Sequence, residues 1–474
     1  MKSSTLFLSC LLLAANSLSS DVTSWRNGGY GLYPDATPPL YWEDPASILW
    51  QVPTPIRGNA CPLLIGNKLF YTAEPTELIC ADARTGKVLW QRSNSYEDVA
   101  DITPEERIRI KNAIVANEQL AAKLKPFKKR IYQLTRRLRN DRSNEELKDQ
   151  LKAAQNEQAE LEAAAGNIPA KFKKPKTHNT NGYASYTSCS DGKYIFTCNS
   201  LGIVTKHDLD GNRIWAKVME KPDHNWGGAV SPQLIDGKLI LRFADYAALD
   251  PETGKELWRV KDPQTFGPPA SFQLEGKWFL YTVRGELIRV SDGKKLKSQD
   301  WTIKQKTFAF FNTPFVSENR IYVVHGAAGI QGDVYCMEIP DTLKELERRG
   351  LKRIWHTVAS KERYYTSPLA HEGLLYIFSM GQVFQVLDAE TGEIIYSHKI
   401  SGMRGRAFSG ILLVNDKIYV GEENGVAVFI EPGRIFKELS RYDLGENRST
   451  PIFEDNIAYL RTIDNLFALK AKDG

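Results

Sequence analysis

The 474-residue chain has only six cysteines, and no two are adjacent or in a C-x-x-C spacing. That excludes a zinc ribbon and a thioredoxin-type redox pair. Cys10 lies inside an early apolar run, too far forward to be a lipid-modified cysteine. Cys61, Cys80, Cys189, Cys198 and Cys336 are odd in number and read as small buried hydrophobes. No G-x-S-x-G, H-E-x-x-H, Walker loop or strand-led G-x-G-x-x-G occurs, and the seven histidines show no metal-ligand spacing. No catalytic residue and no metal site is therefore expected. Beyond residue 15 no apolar run approaches the roughly 18 residues of a membrane span. The formal net charge of +5 is small, and its basic residues gather in one segment, which gives no support to nucleic-acid binding.

The N-terminus does carry a short apolar run. Met1-Lys2-Ser3-Ser4, an apolar stretch over residues 6–15 and the small residues Asn16-Ser17-Leu18-Ser19-Ser20 have the layout of a secretory signal over 1–20. An exported protein, periplasmic or extracellular, is expected.

A repeat runs through most of the rest. Asp82-Ala83-Arg84-Thr85-Gly86-Lys87-Val88-Leu89-Trp90 returns as Asp250-Pro251-Glu252-Thr253-Gly254-Lys255-Glu256-Leu257-Trp258 and as Asp388-Ala389-Glu390-Thr391-Gly392-Glu393-Ile394-Ile395-Tyr396. Each unit opens near a Ser/Thr-Pro pair, turns at Asp, Asn or Gly, and ends a fourth strand on an aromatic. A period in the forties built from short alternating strands predicts propeller blades. Fourth-strand tryptophans fall at Trp90, Trp215, Trp258, Trp301 and Trp355, and turn glycines at Gly86, Gly254 and Gly392. Eight units can be counted, and the last stops after three strands. Ile48-Leu49-Trp50-Gln51-Val52 has the form of a fourth strand without a blade. The sequence thus predicts an all-β fold over 21–474, an eight-bladed β-propeller closed by strand 48–52.

The Asp-x-x-Thr-Gly-x-x-x-Trp ending with a Ser-Pro opening resembles the repeat of pyrroloquinoline-quinone-type (PQQ-like) propellers, found in quinoprotein alcohol dehydrogenases and BamB-like outer-membrane assembly factors. The resemblance spans roughly residues 50–469 apart from one insertion. It implies that the repeat tryptophans pack between blades and that the turn glycines supply a positive φ. For the dehydrogenases it also implies a disulfide of adjacent cysteines, a calcium site of Glu, Asn and Asp, and a catalytic Asp. The disulfide has no counterpart here.

Between blades one and two, residues 101–166 lose the strand pattern and become rich in Ala, Glu, Lys, Leu, Gln and Arg. Thr103-Pro104-Glu105-Glu106 and Asn144-Glu145-Glu146 read as helix starts. Leu120, Leu124, Phe127, Ile131, Leu134 and Leu138 are answered by Leu147, Leu151, Ala154 and Leu161, which predicts an antiparallel coiled-coil hairpin, with Pro126 a kink point. Its first arm is basic and its second acidic. Mutual neutralisation is the expected arrangement, and docking of a partner or an anionic envelope surface is the alternative. A short helix is also expected over 341–350.

Residues ahead of each Ser/Thr-Pro should face the channel mouth: Arg57, Asn59, His224, Trp226, Asn312, Tyr364, Tyr365, Arg404, Arg406 and Arg448. Arginines and aromatics converging on one funnel suit an anionic, planar or peptide ligand. The function expected is a non-enzymatic scaffold that binds proteins or an envelope component through its loop face and helical arm, with envelope or secreted proteins as partners and without a cofactor. The alternative is an oxidoreductase using PQQ with calcium. No oligomeric state follows from the residues.

Overall fold

The computed structural model describes residues 21–42, 44–99, 102–164, 168–262, 265–297, 310–327 and 329–471. The proposed signal over 1–20, Trp301, and the insertion bounds Asp101 and Gly166 lie outside them.

Eight sheets form, seven of four strands and one of five. Blade one runs Leu63–Ile65, Lys68–Ala73, Glu77–Asp82 and Val88–Ser93, each strand antiparallel to the last. Its tight turns suit the sequence. Where the first and second strands join, positive φ at Gly66, and at Asp236, Glu275, Glu318, Glu372, Asn415 and Asp455 in other blades, gives the twist that a two-residue hairpin needs. The Asp-x-x-Thr-Gly ending is a side-chain-capped turn. Asp250 Oδ1 accepts from the backbone N–H groups of Glu252 and Thr253 at 2.9 and 2.8 Å, and Asp388 does the same for Glu390 and Thr391.

The fourth strands hold the blades together. Trp90 of blade one lies over Gly211 of blade two, and its indole N–H donates to Leu209 O at 3.2 Å. Trp215 lies over Gly254 and donates to Pro251 O, Trp258 over Gly293 to Val290 O, and Trp355 over Gly392 to Ala389 O. A glycine is required beneath each ring: a Cβ on Gly392 would stand 2.6 Å from Trp355 on a backbone with φ of 78°. Beside each tryptophan the pairing slips by one residue, which turns the preceding aliphatic outward; Leu89, Ile214, Leu257 and Ile354 are all exposed.

Trp50 supplies the same latch for the last blade. Ile48–Pro53 pairs antiparallel with Asn465–Lys470, next to Ile457–Arg461 and Ile452–Glu454. Trp50 lies 2.7 Å from the Cβ position of Gly86 in blade one and donates to Ala83 O at 3.0 Å. Residues 48–53 and 465–470 therefore share one sheet, and that sheet is latched to its neighbour as blades one, two, three and five are.

Residues 21–37 have a role the repeat pattern does not announce. Val22 bridges Leu64 of blade one, Ser190 of blade two donates to Thr23 O, and Tyr30 donates to Ser271 O in blade four. Leu32–Tyr33 adds a parallel fifth strand to Leu412–Val414 of blade seven. This segment crosses the ring as a plug. At its centre Arg26 is almost wholly buried and donates to the backbone carbonyls of Ile411, at 2.9 Å, and Tyr30, at 3.2 Å. Burial pulls its guanidinium down to about 10.

The insertion forms helices α1 (Tyr96–Val99), α2 (Pro104–Asn140) and α3 (Glu145–Ala163), with Thr103 and Asn144 as side-chain N-caps. Pro126 lies within the α2 span. At the base, Ile110 and Ile114 bury against Tyr96, Phe172, Leu201 and Ile203 of the blade-two side. Farther out, Leu134, Leu147 and Ala154 form a separate cluster, joined only by Ile131, Leu138 and Leu151. The arm is therefore anchored at one end and self-contained at the other. The short helix α4 (Leu343–Arg349) sits in blade five and is capped by Thr342.

Two outcomes follow. Trp50→Ala should lower unfolding free energy by about 3 kcal/mol in denaturant titration, because it removes the ring-closing latch. Replacing 121–160 with a short Gly/Ser linker should leave the melting temperature within about 3 °C, since the distal cluster touches only itself.

Candidate functional site

An extended backbone alternates its side chains, so one offset from each blade's innermost strand selects one face. Counting back four residues from these strands yields Asn59, Ser185, Ala229, Phe266, Phe311, Tyr365, Phe408 and Arg448. All eight line a single cavity of about 720 Å³ at the channel mouth. Two residues closer to the strand stand Cys61, Thr187, Ser231, Pro268, Thr313, Ser367, Gly410 and Thr450. These form a girdle that fixes the spacing of the ring above. The N–H of Cys61 donates to Thr187 Oγ1 at 3.0 Å, Thr187 to Ser231 Oγ at 3.0 Å, Thr313 to Ser367 Oγ at 2.9 Å and Gly410 to Thr450 Oγ1 at 3.1 Å. Thr450 closes the circle by donating to Cys61 Sγ at 3.1 Å. A Ser or Thr hydroxyl at this position is thus the acceptor across four of the seams, at Thr187, Ser231, Ser367 and Thr450.

The ring is two-sided. Phe266, Phe311, Tyr365 and Phe408 form a continuous aromatic arc, with centroids 5.5, 4.6 and 4.9 Å apart in sequence. His224 extends it, 4.7 Å from Phe266, and burial holds its imidazole below its ordinary range. The opposite side, Asn59, Ser185 and Ala229, is small and polar. Over it lies the chain returning from the helical arm. Asn59 Nδ2 donates to Thr180 O at 2.6 Å, Arg448 Nη1 to Thr180 O at 3.2 Å, and the His178 ring stacks on Trp226 at 4.1 Å. Trp25, from the plug, also lines the cavity. The mouth therefore opens onto a pocket that the N-terminal segment crosses.

Its charge is one-signed. The lining holds Arg363, Arg406 and Arg448 and no Asp or Glu. Arg406 makes a two-point contact with Glu423 just outside, Nε to Oε1 at 2.6 Å and Nη2 to Oε2 at 2.9 Å. Burial pushes the Glu423 carboxyl up, and donation from Arg406 with the charges of Arg406 and Arg448 outweighs it, holding the group below its ordinary value. Arg363 has no acidic partner among the described residues; its Nη1 donates to the Tyr365 hydroxyl at 3.3 Å, and its buried Nε is without a partner. A hard divalent cation takes several oxygens, commonly carboxylates, and this lining offers none. Elsewhere among the described residues, no three His, Cys, Asp or Glu side chains are placed to share an ion. The five described cysteines are all buried as free thiols.

Of the expected mouth residues, Asn59, His224, Trp226, Tyr365, Arg406 and Arg448 line the cavity. Four do not. Asn312 and Tyr364 sit one residue to either side of the inward register and turn into the protein, where Asn312 Nδ2 donates to Val324 O and Tyr364 O and the Tyr364 hydroxyl donates to Gln385. Arg57 is exposed and holds Asn179 O of the overlying loop, and Arg404 is exposed away from the lining. The cavity also takes in Phe266, Phe408 and Arg363, which the Ser/Thr-Pro rule does not select, although the first two lie at the same offset from their Pro or Gly positions as Phe311 and Tyr365. No pattern in the repeat points to Trp25.

The sequence profile of the family described as outer membrane protein assembly factor BamB matches residues 200–474. No curated protein matches significantly. Among solved structures, a europium-containing methanol dehydrogenase is 11% identical over 94% of this chain and 98% of its own, with a TM-score of 0.54. A quinohemoprotein alcohol dehydrogenase from Comamonas testosteroni is 10% identical over 96% and 81%, with a TM-score of 0.53. BamB from Moraxella catarrhalis is 12% identical over 61% and 95%, with a TM-score of 0.38. At these identities the likeness is one of fold. The profile match covers more than half of the residues, and the chain belongs to the PQQ-type propeller family of the outer membrane protein assembly factor BamB.

Proposed function

We propose that the chain is an exported, non-enzymatic scaffold that binds proteins or an envelope component through its loop face and helical arm. The observation that carries this reading is the composition of the mouth cavity: an aromatic arc, three arginines, a histidine and no carboxylate. Such a lining stacks and hydrogen-bonds an extended segment bearing acidic and aromatic groups. The lining holds no carboxylate to act as a proton acceptor. The export layout of residues 1–20 and membership of a family that contains an outer-membrane assembly factor support an envelope setting.

The alternative, a quinone held with calcium, has fold relatives in its favour. The cavity residues do not fit the pair, because the metal would face arginines and find no carboxylate oxygen in the lining.

Two experiments test the reading. Incubation with the quinone and calcium should yield no bound-cofactor absorbance after desalting; stoichiometric uptake would replace the scaffold with the oxidoreductase. On a peptide array, the protein should retain acidic, aromatic-rich segments over basic ones, and Phe311→Ala with Tyr365→Ala should weaken retention about tenfold or more, equivalent to losing one or two aromatic contacts. Indifference of the array to both charge and variant would reject the cavity as the binding site.

A further inference from the structure

The helical arm does not neutralise itself. From Lys123 to Arg139, helix α2 carries eight lysines or arginines and no acid, while the whole chain has a net charge of only +5, so the remainder is net acidic. All eight side chains are exposed. Only Arg130 has an acidic partner among the described residues, Glu157 of α3 at 3.6 Å. Three other acids of α3 are engaged within their own helix: Glu145 takes Lys148, and Glu146 and Glu162 accept from Gln150 and Gln158. The reason is geometric. Leu124, Phe127, Ile131, Leu134 and Leu138 occupy the line that meets α3, which forces the cations onto the flanks and back of the helix.

Those flanks are organised. At about 100° per residue, Lys125, Lys128, Lys129, Tyr132, Arg136 and Arg139 fall within about 100° of the circumference and so share one side of the helix over about 21 Å. Tyr132 is 69% exposed in their midst. Toward the hairpin tip, Arg130, Arg136 and Arg137 line a shallow groove with Gln133, Asn140 and Gln150 and without a carboxylate. The convex, solvated cationic helix has one aromatic whose polar tip reaches water. A protein hot spot places its aromatic in a desolvated pocket, whereas a cationic flank with an interfacial tyrosine matches a flat anionic headgroup layer.

We propose that this flank of α2 docks the protein on an anionic phospholipid surface, with lipid phosphates seated among Lys125, Lys128, Lys129, Arg136 and Arg139. The site belongs to the arm and not to the channel mouth, so its failure would leave the cavity reading untouched. No apolar face is offered for insertion, and attachment is therefore electrostatic and reversible.

The test uses the full exported chain in co-sedimentation with vesicles of phosphatidylcholine alone or with roughly 30% phosphatidylglycerol. Binding is expected only to the anionic vesicles, with release near 1 M salt, where the screening length falls to about 3 Å. Substituting Lys125→Gln, Lys128→Gln, Lys129→Gln, Arg136→Gln and Arg139→Gln together keeps helix propensity and should weaken partition by at least ~100-fold, with circular dichroism and melting temperature unchanged. Equal binding to neutral vesicles, or undiminished binding by the folded variant, would overturn the proposal. So would capture by an immobilised acidic polypeptide with no vesicle binding, which would assign the flank to a protein partner. If the quintuple variant misfolds, Lys128→Gln with Arg136→Gln is read instead, and an intermediate loss is expected.

Discussion

Each indole laid over a glycine of the next blade holds this ring together, and the last of them must be supplied from the opposite end of the chain. Sheets in a propeller bury their faces only against one another, so a missing contact at one seam exposes two sheets at once. Trp50 resolves that seam with the same donor, acceptor and glycine used by Trp90, Trp215, Trp258 and Trp355. The closing strand thus adds hydrogen-bonded backbone to blade eight and an interblade contact to blade one.

From a closed ring the channel mouth inherits its precision. The girdle of N–H to hydroxyl bonds two residues before each inner strand lets every blade present the residue at minus four on the same circle. Where the girdle residue is Pro268 or Gly410, no side-chain hydroxyl is available, and Thr313 instead donates its hydroxyl to Pro268 O. The scaffold is repetitive and its rim is not: four aromatics on one side, small polar residues on the other, and arginine at the junction. Asymmetry on a symmetric frame is what gives a propeller a binding preference.

Two additions outside the repeat finish the site. The plug carries Arg26 into the ring, where backbone carbonyls take the place of water around a buried cation, and Trp25 accompanies it to the pocket. The return from the arm lays Asn179, Thr180 and Asn181 beside the polar half of the rim. The base of the arm and the edge of the cavity are therefore parts of one connected segment.

Blade count, latch residues and the helical arm are legible along the chain, because each rests on short-range signals: Asp-x-x-Thr-Gly turns, Trp at a fixed place in the fourth strand, and leucines at spacings of three and four. Six expected mouth residues line the cavity, and three of them, Asn59, Tyr365 and Arg448, lie at the repeat offset. Asn312 and Tyr364 do not, since one step along an extended chain reverses the direction of a side chain, and a motif two residues long does not mark that parity. Long-range packing alone sets the passage of residues 21–37 across the ring, the completion of the arc by Phe266 and Phe408, and the separation of all the Lys123–Arg139 cations but Arg130 from the acids of α3. Each depends on which groups meet across large separations in sequence, and no local pattern encodes that.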